Sequence, residues 1–360
     1  MSPCLSLSGT KPSRWLRTAW GKLLVTGYIF LSCLAVSGRS EAATMCDTSI
    51  CVGGSACTIG GGSFYLTPGC ILDFGPKDVT LSNGGRLVET TGVGFTVMAH
   101  NLTMKGSFEP NLAPDDGATL NVFLTGNLTT IEHGGLLVGK NGTLNIQADG
   151  DVNLGGGESL NTAPFGTITI DAATITVNEK IDANAGHINL HSRSGPIVVG
   201  SRGRLRADNA TVAGVLYDAG EIQIEAEGGG VTLGSSVFIR GGSRANAGRL
   251  TVIAEGDVAI TGPIAANSVK GNGGIVEVTA DGHIAISAAI NVNGKNGQII
   301  LHMGGGITTT ARGALTANGS NGLIDILAGP GQPLNIAGIV QANAVGAGSI
   351  PGTIMIGNAP

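Results

Sequence analysis

Three ionisable side chains occupy the same place in a repeated phrase of this sequence. Asp171, His191 and Glu225 each stand five residues after a glycine, in runs whose apolar residues recur at every second position. If successive phrases stack as parallel strands, Asp171 and Glu225 flank His191 two strands apart, at about 9.6 Å. Two carboxyl groups roughly 6.5–9.5 Å apart can serve as the acid and base of an inverting glycosidase, so these residues are candidates for catalysis. The interpretation we favour is a solvated polar ladder with a histidine between two acids.

Other residues that could bind a metal or a cofactor fit such roles poorly. His187 and His191 form a His-x-x-x-His pattern, but on a strand they lie about 13 Å apart, beyond the reach of one ion. Glycine runs such as Gly155–Gly157 lack the Lys-Ser/Thr of a phosphate-binding loop. We therefore expect no metal and no cofactor. A polysaccharide-cutting site would also need a groove, and the insert at Ser201–Ala219 is long enough to form a wall of one.

The elements that position these side chains repeat along the chain. The phrase Gly-x-Ile-x-Ile-x-Ala recurs between Gly117 and Gly352 in nine steps over 235 residues. Each unit adds a second run after Asp-Gly or Gly-Gly, and a third of the form Ile-x-Ala-Asn. Three short strands in each 20–30 residues predict an all-β fold, a right-handed parallel β-helix of about ten three-stranded turns. A β-propeller needs longer repeats and more aromatic residues than the 4% present. Asn141-Gly142 and Asn321-Gly322 resemble hairpin turns but suit left-handed corners as well.

These phrases resemble the right-handed β-helices of bacterial exported surface proteins, of which filamentous-haemagglutinin-like adhesins and autotransporter passengers are known members. The resemblance covers about residues 94–358 and implies a non-enzymatic, adhesin-like protein that binds a glycan, a cell surface or a matrix partner. Right-handed β-helix enzymes that cut polysaccharides place carboxylates on such a face. A polysaccharide-acting hydrolase or lyase is therefore the alternative function.

Four cysteines lie close together ahead of the repeats. Cys46, Cys51, Cys57 and Cys70 make an even number in a chain we expect to be exported, so we predict two disulfides with three possible connectivities. A zinc site is the alternative, but no Cys-x-x-Cys is present. We expect residues 43–93 to form a cysteine-containing N-terminal cap on the repeat body of residues 94–360.

The first residues have the pattern of an export signal. A basic stretch precedes the apolar run Leu23–Val36, and small residues at Ser40 and Ala42 predict cleavage near Ala42. We expect residues 1–42 to be removed and the mature chain to be extracellular or on the cell surface, with no transmembrane segment. The remaining chain has 15 basic and 24 acidic residues, a balance of −9. This balance disfavours nucleic acid as a partner.

Outward positions of the later repeats become apolar. Ile275, Ile300, Leu323 and Leu327 stand where earlier repeats carry Thr, Asn or charged residues. Exposed apolar surface of this kind often marks a contact site. We therefore expect the C-terminal end to pack against a second copy, further chain or a surface partner. The alternative is that the loop Leu327–Leu334 covers this face.

Overall fold

The computed structural model describes residues 46, 50–51, 54–110, 117–155, 160–162, 164–345 and 348–360. The expected leader, residues 1–42, lies outside the described residues. The described part consists of β-strands and turns without an α-helix, so it contains no helix long and apolar enough to cross a membrane.

The chain winds into a parallel β-solenoid, which confirms the predicted fold class. Each turn gives one strand to each of three sheets, and the twelve strands of a sheet stack through about 11 turns. Along the chain, each turn passes through sheet B, sheet C and then sheet A. Sheet A contains Ile71–Asp73, Gly94–Ala99, Thr119–Leu124, Thr143–Ala148, Thr167–Ala172, His187–Ser192, Glu221–Ala226, Arg249–Ala254, Ile275–Ala280, Gln298–Met303, Leu323–Ala328 and Thr353–Asn358. Sheet B contains Ala56–Ile59, Asp78–Leu81, Leu102–Met104, Leu128–Thr130, Val152–Leu154, Ile175–Val177, Ile197–Val199, Val231–Leu233, Val258–Ile260, Ile284–Ile286, Ile307–Thr309 and Leu334–Ile336. Sheet C contains Gly62–Tyr65, Gly85–Glu89, Ser107–Pro110, Gly135–Val138, Leu160–Thr162, Lys180–Ala183, Arg204–Arg206, Val237–Phe238, Ile264–Ala265, Ile290–Asn291, Leu315–Thr316 and Val340–Gln341.

The core is a set of apolar rows inside the coil. Alternate residues of a strand point to opposite faces, and in Glu221–Ala226 the inward Ile222 and Ile224 are 0% exposed while Gln223 faces solvent. Successive strands are in register, so Ile222 lies on Ile188 and Ile224 on Leu190. The rows predicted from the sequence are therefore confirmed: Ile168, Ile170, Ile188, Leu190, Ile222 and Ile224 are all buried.

The corner between sheets C and A brings successive turns into close contact. A Cβ atom on Gly186 would lie 2.0 Å from the carbonyl oxygen of Gly166, and one on Gly220 would lie 1.8 Å from that of Gly186. The repeated glycine is therefore required by the approach of two backbones. Asn141 and Asn321, at the same corner, have φ angles of 56° and 61°. They are left-handed corners rather than hairpin turns.

The coil already includes much of the cysteine-containing segment. Five strands between residues 56 and 89 belong to the three sheets, so the boundary expected at residue 94 falls inside the coil. Cys46 lies at disulfide distance from Cys70, and Cys51 from Cys57, an arrangement that matches one of the three connectivities. The backbone N–H of Cys46 donates to the carbonyl oxygen of Ile71 at 2.8 Å, which places Cys46 on the edge of the first sheet A strand.

One hairpin interrupts the three-stranded pattern of the described turns. The antiparallel strands Ala210–Val212 and Val215–Tyr217 lie between a sheet C strand and a sheet A strand, within the expected insert Ser201–Ala219. Ala213 and Gly214 join them with φ angles of 50° and 80°. Two positive φ angles match the twist of a tight hairpin. Its second strand is exposed.

Candidate functional site

The three catalytic candidates stack on the outer face of sheet A. Asp171 pairs in register with His191, and His191 with Glu225. The His191 Nδ1 atom lies 3.0 Å from an Asp171 carboxylate oxygen, and its Nε2 atom lies 3.8 Å from a carboxylate oxygen of Glu227. The hydrogen bond to Asp171 raises the pKa of His191; burial opposes this rise, and the charges of Asp171, Glu225 and Glu227 add to it. This histidine is therefore surrounded by carboxylates that favour its cationic form.

A neighbouring arginine also binds the first of these acids. Arg193 donates a hydrogen bond to Asp171 and a second one to the backbone carbonyl of Ala148, and it lies 3.8 Å from Asp149. Asp171 is only 16% exposed and accepts hydrogen bonds from both Arg193 and His191. A general acid must direct a proton at its substrate, whereas this carboxylate is engaged by two cationic neighbours. The arrangement suits an ion-pair ladder that joins successive turns.

A groove lies elsewhere, along the corner between sheets C and A. It has a volume of about 820 Å³ and borders six consecutive turns, from Phe165 to Gln298. At about 4.8 Å for each turn, this corresponds to a length of roughly 24 Å. The end of the hairpin, at Tyr217, forms part of the wall. None of Asp171, His191 and Glu225 lines it.

An aromatic pair stands at one end of this groove. The rings of Phe165 and Tyr217 meet edge to face, with centroids 4.5 Å apart. Phe165 occupies the left-handed corner position with a φ of 69°, and Tyr217 is 38% exposed. Aromatic residues make up only 4% of the chain, so two of them at one groove are a notable concentration. They offer an apolar surface with one phenolic hydroxyl.

Amide side chains continue the wall along the axis of the coil. The Asn246 side chain and its backbone N–H both donate to the carboxylate of Asp218. The side-chain oxygen of Asn246 accepts a hydrogen bond from the backbone N–H of Asn272 at 2.8 Å. The side-chain oxygen of Asn272 accepts one from the side-chain amide of Asn296 at 3.3 Å. Each amide is thus oriented by the next turn. The result is a row of planar polar groups at one-turn spacing.

Charged side chains line the opposite side of the groove. His187, Glu221 and Arg249 are the first outward residues of three successive sheet A strands. The His187 Nδ1 atom lies 3.8 Å from a Glu221 carboxylate oxygen, and Arg249 donates to Glu277. His187, Glu221 and Arg249 are 44–55% exposed and can reach a ligand in the groove. Among the described residues, no three His, Cys, Asp or Glu side chains are grouped as a metal site requires.

The residues expected to form a contact patch lie on the outer face of sheet A at staggered positions. Ile275 and Leu323 are the first residues of their strands, Ile300 is the third and Leu327 the fifth. All four are half-buried, and acidic side chains flank Ile300 in the adjacent strands. In the last strand, the inward Ile354 and Ile356 are 44% and 45% exposed.

The sequence indicated the insert at Ser201–Ala219 but neither its hairpin nor the groove residues. The sequence singled out His187 only as part of a His-x-x-x-His pattern, and it did not single out Phe165 or Tyr217. Phe165 precedes a repeat glycine, and Tyr217 lies two residues before the end of the insert. A search for aromatic residues at repeat corners could have found the pair. Comparisons with protein-family models, with curated proteins and with solved structures give no significant match to this chain.

Proposed function

We propose that this protein is an exported, adhesin-like β-solenoid displayed outside the cell, and that it binds a glycan in the groove between sheets C and A. The observation that carries the proposal is the aromatic pair of half-buried Phe165 and exposed Tyr217 at the end of a groove lined with amide and charged side chains.

The chemistry of the groove suits sugar rings. A pyranose has apolar C–H faces, which pack against aromatic rings, and equatorial hydroxyls, which exchange hydrogen bonds with planar amides, carboxylates and guanidinium groups. Asn246, Asn272 and Asn296 present such groups at a spacing of one turn. A groove about 24 Å long, with roughly 4.8 Å for each turn, accommodates several linked sugars. Several weak contacts along one chain add up to useful affinity.

Binding fits the arrangement better than cleavage does. The carboxylates considered for catalysis, Asp171 and Glu225, lie outside the groove, and Asp171 is engaged by Arg193 and His191. A polysaccharide-acting hydrolase or lyase is the alternative function. It would require that Asp171 leave these partners.

Display outside the cell accounts for the cysteines and the leader. The pairs Cys46–Cys70 and Cys51–Cys57 suit an oxidising compartment. They support a disulfide-held cap at Cys46 and Cys51, within residues 43–93, that protects the first edge strands. N-terminal sequencing of exported protein should give a start near Ala42. Mass spectrometry that finds four free thiols in exported protein would refute the cap.

A glycan array followed by titration calorimetry tests the binding proposal. Tyr217→Ala should weaken the binding of the best glycan at least about tenfold, which corresponds to 1.4 kcal/mol. Tyr65→Ala is the matched control, because Tyr65 is 74% exposed on a distant turn. Equal losses in the two variants, or no glycan bound at all, would contradict the proposal.

The same glycans distinguish the enzyme alternative. Wild-type protein is incubated with each bound polysaccharide, and new chain ends are measured. We expect none. If chains are cut, and Asp171→Asn or Glu225→Gln stops the cutting while Tyr217→Ala only weakens binding, the hydrolase or lyase function replaces display.

Self-association remains a second proposal, carried by the outward apolar residues of the C-terminal turns. The double variant Ile300→Ser/Leu323→Ser should reduce association in the ultracentrifuge or binding to cells, with an unchanged melting temperature. If association is unchanged and the melting temperature falls, Ile300 and Leu323 serve internal packing.

A further inference from the structure

Sheet C carries a group of cations on three consecutive turns. Lys180 and Arg204 are paired in register, and Arg206 follows two residues later on the same outward face. Phe238, on the next strand, is in register with Arg206, and Arg240 lies two residues beyond it. We call Lys180, Arg204, Arg206 and Arg240 the cationic face. Successive turns are about 4.8 Å apart, and Arg204 and Arg206 are about 6.6 Å apart along one strand, so its charges are close neighbours.

Two carboxylates lie beneath these cations. Asp182 accepts hydrogen bonds from Arg204 at 3.1 Å and from Arg206 at 3.0 Å, and its side chain is 7% exposed where theirs are 28% and 31% exposed. One carboxylate thus serves two guanidinium groups. Within the described part of the chain, the Nε atoms of Arg204 and Arg206 are buried and have no hydrogen-bond partner, so the outer nitrogens of these guanidinium groups are the ones that face solvent. The two arginine side chains are therefore more accessible to solvent than the Asp182 carboxylate.

Arg240 is held in the same manner. Its side chain donates to Asp208 at 2.7 and 3.2 Å, and its backbone N–H donates to the same carboxylate at 2.8 Å. Its guanidinium group also lies 4.3 Å from the centre of the Phe238 ring. The Arg240 side chain is 45% exposed and that of Asp208 is 12% exposed. A cation oriented in advance loses less conformational entropy when it binds an anion.

The net charge of the cationic face is opposite in sign to that of the chain as a whole. Four cations and two largely buried acids give it a balance of +2, whereas residues 43–360 have a balance of −9. The remainder of the chain is therefore strongly acidic. A long polymer with one charge in every 3.4 Å of strand, such as a nucleic acid, would extend from this face onto repelling surface. A polymer with about one carboxylate for each sugar would meet less repulsion.

We propose that the cationic face binds a carboxylated polysaccharide, in a site separate from the groove. The guanidinium groups of Arg204, Arg206 and Arg240 pair with carboxylates of successive sugars, and Lys180 adds a point charge at the edge. This inference does not depend on the groove. The coil would then have two glycan-binding surfaces, and the second one would bind a different class of glycan.

Affinity electrophoresis and calorimetry with alginate as the carboxylated polymer, and dextran as the neutral one, test this inference on the full chain. Lys180→Gln/Arg206→Gln removes two cations and leaves Asp182 paired with Arg204. It should weaken alginate binding about tenfold and make its salt dependence shallower by roughly two contacts. Lys270→Gln/Arg312→Gln removes the same charge from exposed positions on other turns and should leave alginate binding unchanged.

Four outcomes would overturn the inference: no alginate binding, equal losses in the two double variants, dextran bound as tightly as alginate, or single-stranded DNA bound more tightly than alginate. Circular dichroism of each variant shows whether the coil is intact. The groove gives an independent measurement, because Tyr217→Ala should leave alginate binding at the cationic face unchanged. If the wild-type protein binds alginate at the cationic face but binds no glycan in the groove, the proposed function is refuted and this inference stands.

Discussion

Replacing Gly186 by alanine tests whether the corner between sheets C and A requires glycine. A Cβ atom there would lie 2.0 Å from the carbonyl oxygen of Gly166. That oxygen accepts the backbone hydrogen bond of His187 at 2.9 Å, so the carbonyl cannot move away without weakening a contact between turns. A lost hydrogen bond costs about 1 kcal/mol, and forcing extra volume into a packed site costs roughly 1–3 kcal/mol. We therefore expect Gly186→Ala to lower the free energy of unfolding by about 2–4 kcal/mol.

Urea unfolding followed by circular dichroism measures this loss. Gly60→Ala is the matched control, because a Cβ atom on Gly60 would meet no atom within 4 Å and its φ is not positive. Its effect should stay within about 0.5 kcal/mol of the wild type. If Gly186→Ala were as stable as Gly60→Ala, the close approach of turns would not be the reason for the recurring glycine.

Three further substitutions test other parts of the coil. Ile224→Asp places an unpaired charge in the core and should lower the free energy of unfolding by about 3 kcal/mol or more, whereas Gln223→Asp on the solvent face should change it by less than about 0.5 kcal/mol; equal effects would contradict the assigned faces. Burial alone would raise the pKa of Glu89, but hydrogen bonds from the following loop outweigh it and hold that pKa below its ordinary 4.5. The stability that Glu89 contributes is therefore complete above pH 4.5 and is lost as the pH falls below it, and urea midpoints of Glu89→Gln should lack this dependence. The hydrogen bond to Asp171 raises the pKa of His191 above 6.5, so its contribution is complete below pH 6.5 and is lost as the pH rises through the raised value. Melting temperatures of His191→Gln should lack that decline, and an identical decline would contradict the ladder.

The fold was predictable because the same pattern of apolar residues recurs in many turns. A single phrase such as the one containing Ile222 and Ile224 is compatible with several folds. The same phrase at equivalent positions of many turns indicates stacked parallel strands. The first turns were harder to recognise, since their strands lack the regular Gly-x-Ile-x-Ile pattern. Residues 43–93 therefore looked like a separate cap, although five of their strands pair into the sheets.

The groove was not predictable from the repeat, because its walls depart from the repeat. Phe165 occupies a left-handed corner position that is Asn or Ala in four other turns, and Tyr217 belongs to the hairpin. These residues are 52 positions apart in the sequence and meet only because the hairpin returns to that corner. A pattern search gives weight to positions that agree between turns. Residues that bind a ligand in a solenoid are more often those that differ.

Two polar clusters on sheet A show why residue types alone could not decide between chemistry and structure. Both contain a histidine next to an acid one turn away, His191 with Asp171 and His187 with Glu221. Position within the strand separates them. His191 is 19% exposed and lies beside Arg193, which also binds Asp171, whereas His187 is 55% exposed and borders the groove. At His191 the neighbouring charges neutralise one another and join turns, whereas the cluster at His187 borders the groove and remains able to bind a ligand. For this coil, exposure and third partners therefore identify the binding surface better than the identity of the ionisable residues does.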